Sequence, residues 1–421
     1  MAGMAGMVDA PAPTRARVSA LARMARHPLA LWGVFGLVHA MLVWLCLTAP
    51  GLPLGDVTRV YKLWVVEAQA GAFQVGIDRA WVYPILAFIP MAAAMALGPE
   101  LYPVTWLGII VLLDIAAFAV LVGGWRRPPR RRAAAWWWIG LLIALGPIAL
   151  ARIDAVTVPI AIVALLVVAR RPALGAALLA IGAWLKIWPA AVVAGLIVAS
   201  RARLRVIWSA LTVTATVLAI GLVLGGGTNM LSFVTQQTGR GLQIESPVST
   251  IWMWQAAMRM PGVRPYYDRD ILTYQVAGPG ADVASAIMTP LLAIVVAGTM
   301  LLGVLAIRRG AAFVAVFPAL ALAIVTALIA FNKVGSPQFI CWLVAPVVLG
   351  IVYRRRGFAV PAVLVLAIAA LTQLIYPYLY DWLVVADPAL VLLLTARNLL
   401  ELVLFGWALF AVWKSGRRAK E

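Results

Sequence analysis

The first long apolar stretch of the chain reads PLALWGVFGLVHAMLVWLCLTAP and covers residues 28–50. It contains no Asp, Glu, Lys or Arg, and it exceeds the roughly 18–20 residues that a helix needs to cross a bilayer. It is also longer than the roughly 7–15-residue core of a signal peptide, so we expect it to remain as an anchor. Similar stretches recur along the chain, and the sequence therefore predicts a membrane protein with many spans.

Composition gives the same fold class. Hydrophobic residues make up 64% of the chain and charged residues only 12%, whereas apolar residues make up roughly half of a soluble domain. The apolar runs lack the alternating pattern of a barrel strand, and lipid leaves no water to pair with exposed backbone groups. We therefore predict an all-α fold, a polytopic helix bundle of about 12 transmembrane helices.

The net charge is +19, from 34 Lys and Arg against 15 Asp and Glu. These basic residues form short clusters between apolar stretches, which is the positive-inside pattern and places both termini in the cytoplasm. Contacts with anionic membrane lipids are expected at such clusters. No basic face with interleaved aromatic residues lies outside the apolar stretches, so we expect no nucleic-acid partner.

Charge and hydropathy divide the chain into three parts. Residues 1–27 are predicted to be a flexible cytoplasmic tail, residues 28–413 a transmembrane domain, and residues 414–421 a second cytoplasmic tail. Two long segments fall on the outer side. These are the first outside loop, 51–80, and a longer loop, 227–283.

The predicted inside and outside loops must alternate along the chain, and one region contains one apolar stretch more than this alternation allows. Between the outer loop at 80 and the arginines at 126 lie stretches 81–98 and 102–123, where only one crossing fits. The shorter one contains Pro84 and Pro90 and has no basic flank, so we expect it to be re-entrant or to lie on the outer face. Twelve crossings then remain.

Several kinds of site are not expected. Cys46 and Cys341 lie in apolar stretches and are predicted to be packing residues. His27 and His39 stand apart from any carboxylate cluster, which argues against a zinc or di-iron site. No Walker A sequence, Rossmann glycine fingerprint or Asp-x-Asp pair occurs, which argues against a nucleotide-driven pump or a soluble-type nucleotide-sugar transferase. We expect no cofactor and no metal.

Asp56 is the first carboxylate beyond the first span. Gly55-Asp56 opens an amphipathic run at helical spacing, so Asp56 could be a helix N-cap. It could equally be a general base, which needs a carboxylate near a nucleophilic hydroxyl and partly shielded from water. Both interpretations can hold at once.

Four cations fall on the otherwise weakly basic outer side: Arg152, Lys186, Arg240 and Lys333. Arg152 could form an interfacial ion pair with Asp154, and the two lysines could snorkel to the interface. Each lysine, however, is followed within four residues by a proline that interrupts an apolar run. Together the four cations would suit the phosphodiester of a lipid-linked substrate.

Six short segments follow one another in a recognisable order. They are Gly55–Asp56, Val82–Pro84, Arg152–Asp154, Leu185–Pro189, Arg240–Ser246 and Asn332–Leu343. In this order they resemble glycosyltransferase family 87, the bacterial membrane transferases that use polyprenyl-phosphate-linked sugars and include alpha-1,2-mannosyltransferases. The resemblance covers roughly residues 30–350. It implies a C-type glycosyltransferase (GT-C) fold with an active site facing the outside of the bacterial plasma membrane.

The resemblance also implies an activity in cell envelope biosynthesis. A mannosyl residue would pass from a polyprenyl-phosphate-linked donor to a hydroxyl of a glycolipid or glycan acceptor, with inversion. Asp56 would be the catalytic base, and Lys186, Arg152, Arg240 and Lys333 would bind the donor phosphate. The predicted substrate-binding residues are Asp154, Tyr83, Gln243, Glu245, Ser246 and Gln338.

Three alternatives remain open. An arabinofuranosyl donor would suit the same family. A lipid or solute transporter would also have many helices and broken spans, and the breaks at Lys186–Pro189 and Lys333–Pro337 fit that class. Against a transporter, we expect no mid-membrane carboxylate except Asp114, which could pair with a basic residue of a neighbouring helix or mark a pathway. A purely structural membrane subunit ranks third, because it would not need outside loops this rich in hydrogen-bonding groups.

Overall fold

The computed structural model describes residues 28–123, 128–236 and 239–417, and these residues are mostly helical. The α-helices are α1 (Pro28–Thr48), α2 (Lys62–Gln69), α3 (Phe88–Ala93), α4 (Tyr102–Val122), α5 (Pro129–Leu145), α6 (Asp154–Val167), α7 (Pro172–Leu185), α8 (Trp188–Ala199), α9 (Arg203–Val223), α10 (Ser232–Thr235), α11 (Thr250–Ala257), α12 (Ala281–Arg308), α13 (Phe313–Ala330), α14 (Val344–Arg354), α15 (Ala359–Gln373), α16 (Tyr380–Val384) and α17 (Pro388–Arg417). The 3₁₀ helices are Ile85–Ala87, Gly146–Ala149, Thr228–Leu231, Pro337–Leu343 and Arg355–Phe358, and the π turns are Val57–Tyr61 and Leu374–Tyr378.

Within the described residues, nine helices are long and apolar enough to cross a membrane. They are Leu29–Thr48, Tyr102–Val122, Pro129–Ala149, Arg203–Val223, Ala281–Arg308, Phe313–Ala330, Pro337–Arg354, Arg356–Tyr378 and Pro388–Arg417. Helices α6, α7 and α8 are apolar but shorter. The predicted polytopic helical bundle is confirmed, whereas crossing by the three shorter helices, the direction of insertion and the C-type fold stay predictions.

Two regions can be compared with the predicted organisation of the chain. Residues 81–98 form only the 3₁₀ helix Ile85–Ala87 and the six-residue α3, so no long helix forms there. Helix α17 continues to Arg417, past the predicted end of the domain at residue 413. The remaining parts of the two predicted tails, 1–27 and 418–421, lie outside the described residues.

The long loop at 227–283 departs from the all-α prediction. It carries an antiparallel hairpin of β1 (Arg264–Asp268) and β2 (Thr273–Ala277), in which Tyr267 pairs with Tyr274. Tyr and Val suit a half-buried pleated strand, which explains why this part of the loop is not helical. These are the only two strands among the residues described.

The core of the bundle lies around α13 and the segment Pro337–Arg354, whose residues are mostly buried, while α9 and α12 are mostly exposed. Lipid tails are as apolar as the helices, so close packing of small residues is what holds such helices together. Gly175 of α7 is one example: a Cβ there would lie 2.9 Å from the carbonyl oxygen of Ala164 in α6. Helices α6 and α7 therefore pack closely against each other near the end of α6 and the start of α7.

A buried polar pair links α1 and α4. His39 Nε2 lies 3.1 Å from Asp114 Oδ2, and His39 Nδ1 lies 2.9 Å from the carbonyl oxygen of Phe35. Asp114 thus pairs with a basic residue of a neighbouring helix, as the sequence suggested. His39, which stands apart from carboxylates in the sequence, contacts one in the folded chain.

The expectation that Asp114 is the only carboxylate within a span is wrong. Glu401 lies inside the candidate span α17 and is buried there together with Arg397. The two residues are spaced i and i+4, so they lie on one face of the helix. An arginine and a glutamate buried in an apolar helix need partners, and these partners are described below.

Candidate functional site

Asp56 is held by Arg152. The carboxylate Oδ2 lies 2.9 Å from Arg152 Nε, and the Asp56 side chain remains 41% exposed. Asp56 stands just before the π turn Val57–Tyr61, but its side chain makes no capping hydrogen bond there. The N-cap interpretation is therefore wrong. The carboxylate is oriented by an arginine and still has a face open to a ligand.

Arg152 has a partner at each of its three guanidinium nitrogens. Besides the contact with Asp56, Nη1 donates to the carbonyl oxygens of Pro53 and of Ala151, and Nη2 donates to the hydroxyl of Tyr376 at 2.9 Å. Burial lowers the pKa of Arg152, but Asp56 and then Tyr376 outweigh this effect and raise it overall. This geometry suits an arginine that orients Asp56 better than one that contacts a phosphate.

Lys186 stands between α7 and α8, where the chain is extended just before the next helix begins at Trp188 and Pro189. Its Nζ lies 3.7 Å from Asp154 Oδ2 and 4.5 Å from the centre of the Tyr83 ring. Its side chain is 14% exposed. Lys186 therefore has a counterion and an aromatic neighbour, and it is not a lysine that simply extends to the interface.

Asp154 is fixed from the other side by Trp342, whose Nε1 donates to Oδ1 at 2.7 Å. Asp154 and Arg152 were predicted as a possible ion pair, but each pairs with a different residue. The Asp154 side chain is almost fully buried. It is therefore placed to hold Lys186 rather than to contact a large substrate.

Tyr61 joins these two pairs. Its hydroxyl lies 3.4 Å from the hydroxyl of Tyr83 and accepts a hydrogen bond from the backbone N–H of Ile153. The residues Asp56, Arg152, Tyr61, Tyr83, Lys186 and Asp154 thus form one connected group, which we call the Asp56–Lys186 cluster. The cluster combines a half-exposed carboxylate, a lysine and two phenol groups, which is suitable for binding a phosphorylated substrate and accepting a proton.

Arg240 lies near Tyr83 of this cluster, and Lys333 lies near Arg240. Burial lowers the pKa of Arg240, opposed by the charges of Tyr83 and Asp268. Burial lowers the pKa of Lys333 too, and the charge of Arg240 lowers it further. Because Arg240 and Lys333 repel each other, an anion bound between them would relieve the repulsion.

The loops that carry Arg240 and Lys333 are joined by Gln243. Its backbone N–H donates to the carbonyl oxygen of Lys333 at 3.0 Å, and its side-chain Oε1 accepts from the backbone N–H of Gly335 at 3.1 Å and from Ser336 Oγ at 3.3 Å. Gly335 packs directly on the other loop, because a Cβ there would lie 2.4 Å from the backbone nitrogen of Ser246. Gln243, predicted to bind substrate, thus holds the two loops together.

The other three predicted substrate-binding residues are buried. Glu245 contacts Arg397, as described below, and Ser246 lies against the Gly335 loop. Gln338 lies in the 3₁₀ helix Pro337–Leu343 and is 9% exposed. These side chains face the packed interior more than an open site.

Three further residues shape the site, and the sequence reasoning gave them no such role. Tyr61 is a member of the cluster and contacts Tyr83 through its hydroxyl. Tyr376 accepts a hydrogen bond from Arg152, and Trp342 donates one to Asp154. The available signal was a tyrosine or tryptophan placed at the predicted outer end of an apolar stretch. That signal does not separate a site residue from an interface anchor.

No group of three or more His, Cys, Asp and Glu that could hold a metal ion occurs in residues 28–123, 128–236 and 239–417. Cys46 and Cys341 are both unbridged and buried, in agreement with a packing role. Comparison with models of known protein families, with curated proteins and with solved structures found no match. The likeness to glycosyltransferase family 87 therefore rests on the ordered segments of the sequence.

Proposed function

We propose that the chain is an integral membrane glycosyltransferase that uses a polyprenyl-phosphate-linked sugar. The observation that carries the proposal is the Asp56–Arg152 pair: an arginine with a partner at every nitrogen orients a half-exposed carboxylate. The same connected group contains Lys186. A general base and a cation for the leaving phosphate are the two groups that this transfer requires.

In the proposed reaction, Asp56 accepts the proton of the acceptor hydroxyl as its oxygen attacks the anomeric carbon of the donor. The bond from the anomeric carbon to the phosphate oxygen breaks, and the electron pair leaves with the polyprenyl phosphate. Attack from the side opposite to the phosphate inverts the configuration, so a beta-linked donor gives an alpha linkage. Arg152 keeps the carboxylate directed toward the acceptor.

The departing phosphate is assigned to Lys186, Arg240 and Lys333. Lys186 is partly exposed and is countered by Asp154, and the repulsion between Arg240 and Lys333 favours a bound anion. A phosphate is a good leaving group, so the chemistry demands neither a metal nor another cofactor. The donor sugar is proposed to be mannose, with arabinofuranose as the alternative in the same family.

The acceptor is proposed to be the hydroxyl of a glycolipid or glycan at the outer face of the cell membrane. The prenyl chain of the donor would lie among membrane lipids against exposed apolar helices, of which α9 and α12 are the most exposed. This arrangement explains why such a site would stand where helices end and not in a soluble domain.

Sugar transfer by the purified protein tests the proposal. Wild type, Asp56→Asn and Asp270→Asn would be compared with polyprenyl-phosphate-mannose and polyprenyl-phosphate-arabinofuranose, each with a crude lipid acceptor. Asp270 is an exposed aspartate in the turn of the hairpin and serves as the matched control. We expect Asp56→Asn to lower the transfer rate by about 10²–10⁴-fold, which is the usual contribution of a general base.

The outcomes separate the parts of the proposal. Equal transfer by wild type and Asp56→Asn would keep the transferase but exclude Asp56 as its base. No transfer from either donor, with the protein folded, would overturn the transferase.

A transporter is the second candidate, because Asp114 and Glu401 are buried within candidate spans and each contacts a basic residue. Ionisable groups inside spans are often parts of ion or substrate pathways. Movement of a fluorescent polyprenyl phosphate across proteoliposomes, read by a quencher added outside, tests this class. Movement faster than in empty liposomes, and lost in Asp114→Asn or Glu401→Gln, would favour the transporter.

A further inference from the structure

A second buried polar group lies where the long outer loop meets α17. Arg397 Nη1 lies 3.5 Å from Glu245 Oε2, and Arg397 Nε lies 3.7 Å from Glu401 Oε1. All three side chains are at most 2% exposed. The proposed transferase reaction uses none of these contacts, so the group needs an explanation of its own.

The charges of this group do not balance. One arginine and two ionised glutamates carry a net charge of −1, and no further basic side chain contacts the two carboxylates in the part of the chain that the structure describes. A net charge without a partner is costly at a fully buried site. One bound proton brings the net charge to zero.

The hydrogen bonds leave room for that proton. Several N–H groups of Arg397 donate to acceptors other than the two carboxylates. These acceptors are the backbone carbonyl oxygen of Glu245 and Asn398 Oδ1. Its two contacts with the carboxylates are longer than the usual 2.7–3.2 Å of a hydrogen bond. Glu245 Oε2 and Glu401 Oε2 are buried and have no hydrogen-bond partner within the described residues. A protonated carboxyl supplies a donor where both glutamates supply only acceptors.

The other groups around the site do not replace the proton. Tyr380 of α16 hydrogen-bonds Glu245, and its own ring contacts Tyr274 of β2 and Tyr376. Asn398 is neutral and donates through Nδ2 to Thr250 Oγ1. Burial raises the pKa of Glu245 to about 7, against the opposing effects of Arg397 and Tyr380, and Glu401 raises it further.

We propose that Glu245, Arg397 and Glu401 form a binding site for a single proton, which the group holds at neutral pH. The proton belongs to the group as a whole, because two carboxylates that share one site titrate together. The bound proton also lies at a contact between two parts of the fold. Glu245 belongs to the loop that carries Arg240, while Arg397 and Glu401 belong to α17, so the proton neutralises the contact between loop and helix.

Infrared spectroscopy of the purified protein in detergent tests the proposal, because a protonated carboxyl group has a carbonyl band that a carboxylate lacks. We expect one carboxylic acid equivalent per chain at pH 7 in wild type, decreasing as the pH is raised. We expect its loss in Glu401→Gln and in Glu245→Gln, since either variant leaves one arginine with one carboxylate. The matched control is Glu100→Gln at an exposed position, which should keep the band.

Three results would overturn the proposal. The first is wild-type protein without a protonated carboxyl band at pH 7. The second is a band that persists in both Glu245→Gln and Glu401→Gln. The third is a band lost only in Asp114→Asn, which would assign the proton to the His39–Asp114 pair. None of these results depends on transferase activity, so failure of the proton site and failure of the proposed reaction are distinguishable.

Discussion

Arg152 Nε lies 2.9 Å from Asp56 Oδ2, although the two residues are 96 positions apart in the sequence. The remaining nitrogens of Arg152 hold Pro53, Ala151 and Tyr376. One side chain thus ties the loop after α1 to the start of α6 and to the end of the candidate span Arg356–Tyr378. It fixes the carboxylate by a planar fork, which lysine lacks.

Arg152→Lys should lower kcat and leave the KM for the donor nearly unchanged. Lysine keeps the charge but cannot contact Asp56, Tyr376 and the two carbonyls together, and a misplacement of about 1 Å can lower a rate by roughly 10²-fold. Steady-state kinetics of the purified variant check this, with Tyr376→Phe as the milder change that removes one partner. A raised KM with unchanged kcat would instead make Arg152 a phosphate contact.

Lys186→Gln should destabilise the protein, and adding Asp154→Asn should restore much of the loss. Without Lys186, the buried Asp154 carboxylate keeps, among the residues that the structure describes, only the hydrogen bond from Trp342, and a buried charge without a counterion is costly. We expect a loss of about 1–3 kcal/mol in the single variant, below the value for a fully enclosed pair. Thermal unfolding in detergent measures both. Transfer activity should stay low in the double variant, because the phosphate contact is absent, and full recovery would show that Lys186 does not bind donor.

Gly335→Ala should separate the loops that carry Arg240 and Lys333. The added Cβ would lie 2.4 Å from the backbone nitrogen of Ser246, so one loop must move. We expect a loss of about 1–3 kcal/mol in stability, as for other overpacked contacts. Gly406→Ala in α17 is the matched control, because nothing lies within 4 Å of its added Cβ. A Gly335→Ala protein as stable as the control would mean that the loops are not packed in this way.

Stability should fall as the pH rises from about 4.5 to about 7. Burial raises the pKa of Glu245 from its ordinary 4.5 to about 7, so in this interval the folded chain binds more protons than the unfolded chain. The free energy of unfolding then decreases with pH, by up to about 3 kcal/mol in total, and becomes level above pH 7. The unfolding midpoint of wild type and of Glu245→Gln, measured from pH 4.5 to 8, checks this. We expect a smaller slope in the variant, and equal slopes would contradict the shift.

The helical bundle could be predicted from the sequence because crossing a bilayer restricts composition and length together. Residues 28–50 show this, since their length and lack of charge leave little alternative to a spanning helix. The same argument does not extend to the three short helices α6, α7 and α8, because their lengths fall below that limit. The hairpin of β1 and β2 was missed because its ten residues lie in a loop with no clear alternation.

Of the candidate site, the charged residues and Tyr83 could be predicted. Asp56, Asp154 and Lys186 were found because charges near the ends of apolar stretches are rare and therefore conspicuous. Their partners were not found: Arg152 meets Tyr376 across 224 positions of sequence, and Asp154 meets Trp342 across 188. Which face of a helix meets which neighbour depends on packing, and a single sequence does not give it. The sequence does indicate a buried polar contact at Arg397 and Glu401. Opposite charges at i and i+4 within an apolar helix rarely occur without a further partner.

The contact between His39 and Asp114 bears on how the chain is assembled. His39 enters the bilayer with α1, and 75 residues of chain must follow before Asp114 of α4 can meet it. Until then Nε2 lacks this partner, whereas Nδ1 already has the carbonyl oxygen of Phe35 within the same helix. The first two long candidate spans among the described residues thus carry matching polar groups, and chain order makes both available before the later helices of the bundle.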